Sequence, residues 1–471
     1  MELSLTLRFR PPELSFFNRN HRYLFTSPLK RQLPTVAPLK YNLKRTVFVI
    51  TAKINTEKAV HIEGVSEELN LIASQNLDFA PVRRRVRSAF TEVQQNLDHC
   101  LFKLAPSGIR TEEWYEKNSE GLEIFCKSWM PKPGVRIKGA LFFCHGYGDT
   151  CTFFFEGLLI RLVLLGILLQ AGYGVYALDH PGFGLSEGLH GYVPSFDALV
   201  DNVINIYTKI KGRPEVRRLR HFILGQSMGG AVTLKVHLRE PREWDGVILV
   251  APMCKAYEEP FFEQSVLWKF QILTVWIASE HSKMSYPVDM FELVKQGLKQ
   301  VLRKHMEAWN NYWMLSRRYV SGKIAEDVVP PAAVLKVFTL LSKVMPKAKL
   351  FPHQDLSELA IRDPRKRKMA VYNVIGYNDQ TRLKTGLELL KATNEIEKRL
   401  DEVSSPLLIL HGLADKVTDP SVSQFLYKKA SSMDKTLKLY KGGYHCILEG
   451  EPDDRIHTVL GDIISWLDAR C

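Results

Sequence analysis

Gly225-Gln226-Ser227-Met228-Gly229 constrains this chain more than any other stretch. The residues before it, His221-Phe222-Ile223-Leu224, read as the end of a buried strand, and Gly230 to Leu238 read as a helix with Ala, Val and Leu on one face. A serine between strand and helix, with glycine two residues to either side, implies a turn so sharp that neither flanking position has room for a Cβ. Such a turn lifts a hydroxyl out of the backbone and leaves it exposed as a nucleophile. A chain that contains it must provide a parallel strand before it and a helix after it.

The surrounding pattern supplies that frame. Thr111 to Tyr115 and Leu122 to Trp129 alternate as antiparallel strands at a sheet edge. From Lys138 onward the pattern turns to repeated strand–helix units. Gly139 to Cys144 reads as a buried strand ending in His145-Gly146-Tyr147-Gly148-Asp149. Tyr173 to Asp179 is the next, before the turn His180-Pro181-Gly182-Phe183-Gly184. A helix from Ser195 to Lys211 leads to the nucleophile strand. Gly246 to Ala251, Pro406 to His411 and Leu437 to Tyr440 complete the strands, and a helix ending near Arg470 closes the chain. An earlier helical stretch lies near Val82 to Cys100. The fold class is α/β, with a mostly parallel central sheet flanked by helices.

A serine nucleophile needs a base, an acid to orient that base, and donors for the oxyanion. The candidates stand in the order Ser, Asp, His, each after a strand: Ser227, then Asp415 in Gly412-Leu413-Ala414-Asp415, then His445 in Lys441-Gly442-Gly443-Tyr444-His445. Loops at the carboxyl edge of a parallel sheet converge, so residues far apart in sequence can meet there. Asp415 is preferred to Asp419 as the acid, because Asp419 precedes Pro420 and suits a helix N-cap. The oxyanion donors are expected to be the backbone N–H groups of Tyr147 and Met228, with His145, Gly146, Gly148, Gly225 and Gly229 shaping the loops around them.

Charge and cysteine content narrow the function classes. Net charge is +13, but residues 1–52 hold nine Lys or Arg against Glu2 and Glu13, so roughly half of it sits in that segment. No aromatic–basic stripe accompanies it, which argues against nucleic acid as a partner. The seven cysteines have no metal-ligand spacing and read as reduced thiols. No run reaches the roughly 18 apolar residues of a membrane span. Gly182-Phe183-Gly184 fits no dinucleotide fingerprint, and the chemistry calls for neither cofactor nor metal. Residues 1–52, basic, acid-poor and rich in proline, read as a chloroplast transit peptide ending near Ala52. A basic tail on a cytoplasmic, peripherally membrane-associated protein is the alternative.

Four motifs together carry a resemblance: His145-Gly146-Tyr147-Gly148-Asp149-Thr150, Pro181-Gly182-Phe183-Gly184-Leu185-Ser186, Gly225-Gln226-Ser227-Met228-Gly229-Gly230 and Asp415-Lys416-Val417-Thr418-Asp419-Pro420. From about Phe90 to Asp468 the chain resembles the plant monoacylglycerol lipase-like group, which includes caffeoylshikimate esterases and lysophospholipase-like hydrolases. The resemblance implies an α/β-hydrolase core, residues 135–254 and 402–471, with residues 53–134 adding a helix and edge strands. It also implies a helical cap inserted after the strand ending near Ala251, over residues 255–401. In the cap, Val328-Val329-Pro330-Pro331 and Ala370-Val371-Tyr372-Asn373-Val374 match the family pattern.

Two segments depart from that pattern. Residues 158–171 are longer than expected and nearly all apolar. Residues 256–323 interrupt a join that should run from Lys255 straight to Ile324, and they hold four of the eight tryptophans (268, 276, 309 and 313). The clean join on both sides suggests a gene-model artefact; a true enlarged lid touching membrane or lipid droplet is the alternative. The expected activity is hydrolysis of a small amphiphilic monoester through an acyl-enzyme, monoacylglycerol first. Caffeoylshikimate-type phenolic esters and lysophospholipids come next, and a non-catalytic receptor or interaction module of the same fold is the reading from another class.

Overall fold

The computed structural model describes residues 61–101, 109–159, 172–254, 332–351 and 356–471. The basic segment 1–52, the insertion 256–323, most of 158–171 and the Val328 to Pro331 motif lie outside the described residues. Eight strands form one sheet in the order β1-β2-β4-β3-β5-β6-β7-β8. They are β1 (Ile109–Lys117), β2 (Glu123–Pro131), β3 (Ile137–Cys144), β4 (Gly172–Leu178), β5 (Arg220–Gln226), β6 (Gly246–Val250), β7 (Leu407–Gly412) and β8 (Lys435–Tyr440). Only β2 runs against its neighbours; every pair from β4 across to β8 is parallel. This is the α/β-hydrolase arrangement, and each strand read from the sequence is present within a few residues of its expected ends.

The strands from β3 to β7 read as apolar runs because both of their faces are covered. On one face Leu141, Phe143, Val175, Phe222, Leu224, Ile248 and Leu408 pack with Val86 and Phe90 and with Ile456, Leu460 and Ile463 of the C-terminal helix Asp453–Asp468. On the other, Ala140, Phe142, Tyr176, Ile223, Leu249 and Ile409 pack with Leu199, Val203 and Ile206 of Phe196–Lys211 and with Ala231 and Leu234 of Met228–Arg239. Alternate residues of one strand thus feed two separate cores, as a period of two requires. Ser195 caps its helix, its side chain accepting from the Ala198 N–H at 3.3 Å.

Between β6 and β7 the described chain forms the helices Ala332–Val344, Ser357–Ala360, Pro364–Ala370 and Leu383–Glu397. These are the described part of the cap. Its segment 371–377 is seated on the loop after β3: the Tyr377 N–H donates to Gly148 O at 2.7 Å. The amino-terminal helices Glu67–Ala73 and Ala80–Gln95 brace the other side of the same segment. Gln94 Nε2 donates to Tyr372 O at 2.7 Å, the Tyr372 hydroxyl to Glu63 O at 2.6 Å, and Arg382 pairs with Asp78 at 2.6 Å. Buried Arg83 donates to the carbonyls of Gly184 at 2.6 Å and Leu77 at 2.8 Å, which fixes the loop after β4. No described helix is long and apolar enough to cross a membrane.

Candidate active site

Ser227 follows β5 directly and takes φ 54° and ψ −118°, in the left-handed half of backbone space. A non-glycine residue there is strained, and the surroundings must hold it. They do: the Ser227 N–H donates to Val250 O at 3.0 Å, and its carbonyl accepts from Gly230 at 2.9 Å and Met253 at 3.0 Å. The glycines are required by close approach. A Cβ on Gly225 would lie 2.1 Å from Gly229 O, and one on Gly229 would lie 2.0 Å from Cys144 O.

Asp415 and His445 meet, although they leave different strands. His445 Nδ1 lies 2.7 Å from Asp415 Oδ2 and donates to it, so Nε2 carries the free lone pair. The rest of the carboxylate is also satisfied. Oδ1 accepts from the N–H groups of Val417 at 2.7 Å and Thr418 at 3.0 Å, and Oδ2 accepts from the Thr418 hydroxyl at 2.9 Å and His411 Nε2 at 3.0 Å. The His411 proton belongs on Nε2, which lies 3.0 Å from two acceptors, Asp415 Oδ2 and Thr418 O, so Nδ1 accepts from the Ser423 hydroxyl at 2.6 Å. Burial alone would raise the Asp415 pKa, but the His445 charge and the bonds from both histidines outweigh it and hold the carboxyl far below the usual range. Burial works against charge on His445 too, yet Asp415 raises its pKa above that of an ordinary histidine. Asp419 is instead the N-cap of the helix Pro420–Lys429, accepting from the Ser421 N–H at 2.7 Å.

The His445 loop is also tied to the nucleophile strand. Gln226, the residue before Ser227, donates from Nε2 to Glu449 Oε1 at 2.9 Å, and Glu449 lies four residues beyond His445. The loop after β3 forms the opposite wall. A Cβ on Gly146 would stand 3.5 Å from the Ser227 Cβ, so this backbone passes beside the nucleophile. Among the described residues, neither the Tyr147 N–H nor the Met228 N–H has an acceptor. Met228 is the first residue of its helix, where an N–H has no partner within the helix and the dipole favours negative charge.

His145 itself faces inward. It is fully buried, Nε2 accepts from the His180 N–H at 3.0 Å, and Nδ1 donates to Gly146 O at 2.8 Å. Burial lowers its pKa against the pull of Asp179, which suits a neutral ring that shapes the loop. Asp179 accepts from the Thr150 hydroxyl at 3.0 Å and from the N–H groups of Cys151 and Leu185, both at 2.8 Å. It thereby binds the loops after β3 and β4 into one unit. Sequence reasoning did not assign Asp179, His411 or Thr418 to the site. The four-residue spacing of His411 and Asp415 was the available signal for that pair. No grouping of His, Cys, Asp and Glu among the described residues could hold a metal ion.

Comparison with known proteins gives a consistent set of relatives. The model of the Hydrolase_4 family, described as serine aminopeptidase S33, matches residues 135–313 and 318–453. Caffeoylshikimate esterase of Arabidopsis thaliana is 28% identical over 77% of this chain and 87% of its own length. Monoglyceride lipase of Rattus norvegicus is 26% identical over 75% of this chain and 89% of its own. A soluble variant of Saccharomyces cerevisiae monoglyceride lipase, solved with a substrate analogue, superposes with a TM-score of 0.53 at 18% identity. It covers 78% of this chain and 97% of that one, and the likeness is one of fold.

Proposed function

The chain belongs to the Hydrolase_4 family of serine hydrolases and is a carboxylic ester hydrolase, and on that premise we propose that Ser227, His445 and Asp415 cleave a single-chain amphiphilic ester, a monoacylglycerol first. The observation that carries the assignment is the 2.7 Å bond from His445 to a fully satisfied Asp415, at the same sheet edge as the strained turn bearing Ser227.

Each group has one task in this mechanism. His445 Nε2 takes the proton of Ser227 Oγ as the oxygen attacks the ester carbonyl. The negative charge that develops on the carbonyl oxygen is met by the N–H groups of Tyr147 and Met228. Collapse breaks the bond to the alcohol, which leaves with the proton from His445, and the acyl group remains on Ser227. A water molecule deprotonated by His445 then attacks the acyl ester, and a second collapse releases the carboxylic acid and restores the serine. Asp415 holds the His445 tautomer and stabilises its charged form throughout, while His411 and Thr418 hold Asp415.

The choice of a monoester rests on the kinship with monoglyceride lipases together with a cap whose segment 371–377 is seated on the loop after β3. The test is an ester panel of monoolein, lysophosphatidylcholine, caffeoylshikimate and triolein, run with wild type and Ser227→Ala. Monoolein is expected to turn over fastest and the Ser227→Ala variant not at all. Faster cleavage of triolein would reject the monoester reading. Preference for caffeoylshikimate would favour the phenolic esterase, the activity in the name of the relative at 28% identity.

A further inference from the structure

One buried carboxyl beside His445 has no part in the mechanism above. Glu449 is 4% exposed and lies in the His445 loop with its side chain toward the end of β5. Oε1 accepts from Gln226 Nε2, but among the described residues Glu449 Oε2 and Gln226 Oε1 have no hydrogen-bond partner. These two orphans belong to the same pair of side chains, already joined at 2.9 Å through their other arms. Both are acceptors when Glu449 is ionised, and two buried acceptors cannot satisfy one another. A carboxyl that keeps its proton resolves both at once. A hydroxyl at Oε2 would donate to Gln226 Oε1 while Oε1 still accepts from Nε2, and the acid and amide would close a two-bond ring.

Burial favours that state and outweighs the Cys446 thiol, the bond from Gln226 and the charges of His445 and Lys366, all of which oppose it. Asp149, from the loop after β3, is a second buried acid near Glu449. Lys366, from the helix Pro364–Ala370, is already engaged by Glu451 O at 2.5 Å and Asp453 at 2.7 Å. The Cys446 thiol is a neighbour of the Glu449 side chain in its own loop, short of hydrogen-bond geometry, and the His99 ring bonds to the Glu449 carbonyl rather than its carboxyl. His445 is the remaining titratable neighbour. Burial raises the Glu449 pKa, and burial with the nearby Glu449 pushes that of Asp149 up to about 7.

We propose that Glu449 is a positioning residue that works as an uncharged acid, joined to Gln226 by two hydrogen bonds so that the His445 loop is held against the nucleophile turn. In the protonated state it ties the base to the strand that carries the serine. Ionisation breaks one of the two bonds, places a charge beside Asp149, and loosens the distance between His445 and Ser227. Activity is then lost on the alkaline side for a reason outside the three triad residues.

The inference rests on the triad assignment, and the experiment separates the two. In the full-length protein, hydrolysis of p-nitrophenyl butyrate is followed across pH for wild type, E449L, E449Q and Q226E. E449L cannot bond to Gln226 and is expected to lower kcat by about tenfold to a hundredfold with little change in KM, as for a small misplacement of a reacting group. E449Q restores the kcat, because an amide supplies the same donor to Gln226 Oε1 and acceptor to Nε2, and it removes the alkaline fall. Q226E sets acid against acid, so it is active only on the acidic side, where one proton bridges the pair. Infrared spectra at neutral pH should contain a protonated-carboxyl band in wild type that E449Q lacks. A folded E449Q as slow as E449L would overturn the proposal. So would an unmoved alkaline limb, a fully active E449L, or no infrared difference. Undiminished hydrolysis by Ser227→Ala would instead sink the triad, a result on which the infrared comparison does not depend.

Discussion

At Ser227 the chain holds a conformation that costs a non-glycine residue on the order of 1–3 kcal/mol, and the bonds to Val250, Gly230 and Met253 keep it there. The two aspartates of the loop after β7 have separate work. Asp415→Asn is expected to lower kcat by roughly 10⁴-fold, as when a triad acid is replaced, and to lower the melting temperature as well, because an amide nitrogen cannot accept the hydrogen bonds that a carboxylate oxygen accepts there. Asp419→Ala should leave kcat alone and cost about 1 kcal/mol of stability through the lost cap. Kinetics and thermal melts of the two variants check this, and the reverse ranking would exchange their roles. The His445 pKa is raised, so the base stays protonated to higher pH than an ordinary histidine, and the acid limb of kcat/KM should lie above about 6.5. Asp415→Asn removes the charge that raises it and should move that limb downward. Stability follows the opposite sign for the acid. The Asp415 carboxyl is depressed, so its contribution is present above the ordinary carboxylate range and is lost as pH falls toward the folded value.

The loop after β3 is an element whose shape is set by three neighbours as well as by its own residues. Tyr377 bonds to Gly148 O at 2.7 Å, Asn373 donates to Asp149 at 3.2 Å, and Asp179 accepts from Thr150 and Cys151. Gly148 has φ +79°, and a Cβ there would meet Tyr377 O at 2.4 Å. Gly148→Ala is therefore expected to push the cap segment off the loop and move the Tyr147 N–H. It should lower kcat by about a hundredfold, more than it raises KM, because the oxyanion is stabilised only in the transition state. Steady-state kinetics on a soluble ester would test this. An unchanged kcat would separate the cap contact from the oxyanion loop.

Across the whole molecule, one sheet with a core on each face carries the site, and the helices at 67–95 brace the cap segment from outside. If the chain's join runs from Lys255 straight to Ile324, as the sequence leads us to expect, the core and triad do not need residues 256–323. A chain lacking them should hydrolyse p-nitrophenyl butyrate at least as fast as the full protein and melt no lower. Loss of activity on deletion, or tryptic peptides from this block in native tissue, would instead assign it to a working lid.

Read alone, the sequence identified the eight strands, the nucleophile turn and the pairing of Asp415 with His445. These are local properties: apolar runs of strand length, glycines where backbones nearly touch, and loops that leave parallel strands at the same edge. Asp419 as a cap was legible for the same reason, since its partner is two residues away. His411 against Asp415, Asp179 across two loops, Gln226 with Glu449, and Asn373 with Asp149 were not assigned from the sequence. Except for His411, each joins residues distant along the chain. A buried polar group acquires its role from the partner that satisfies it, and only the folded chain decides which side chain that is.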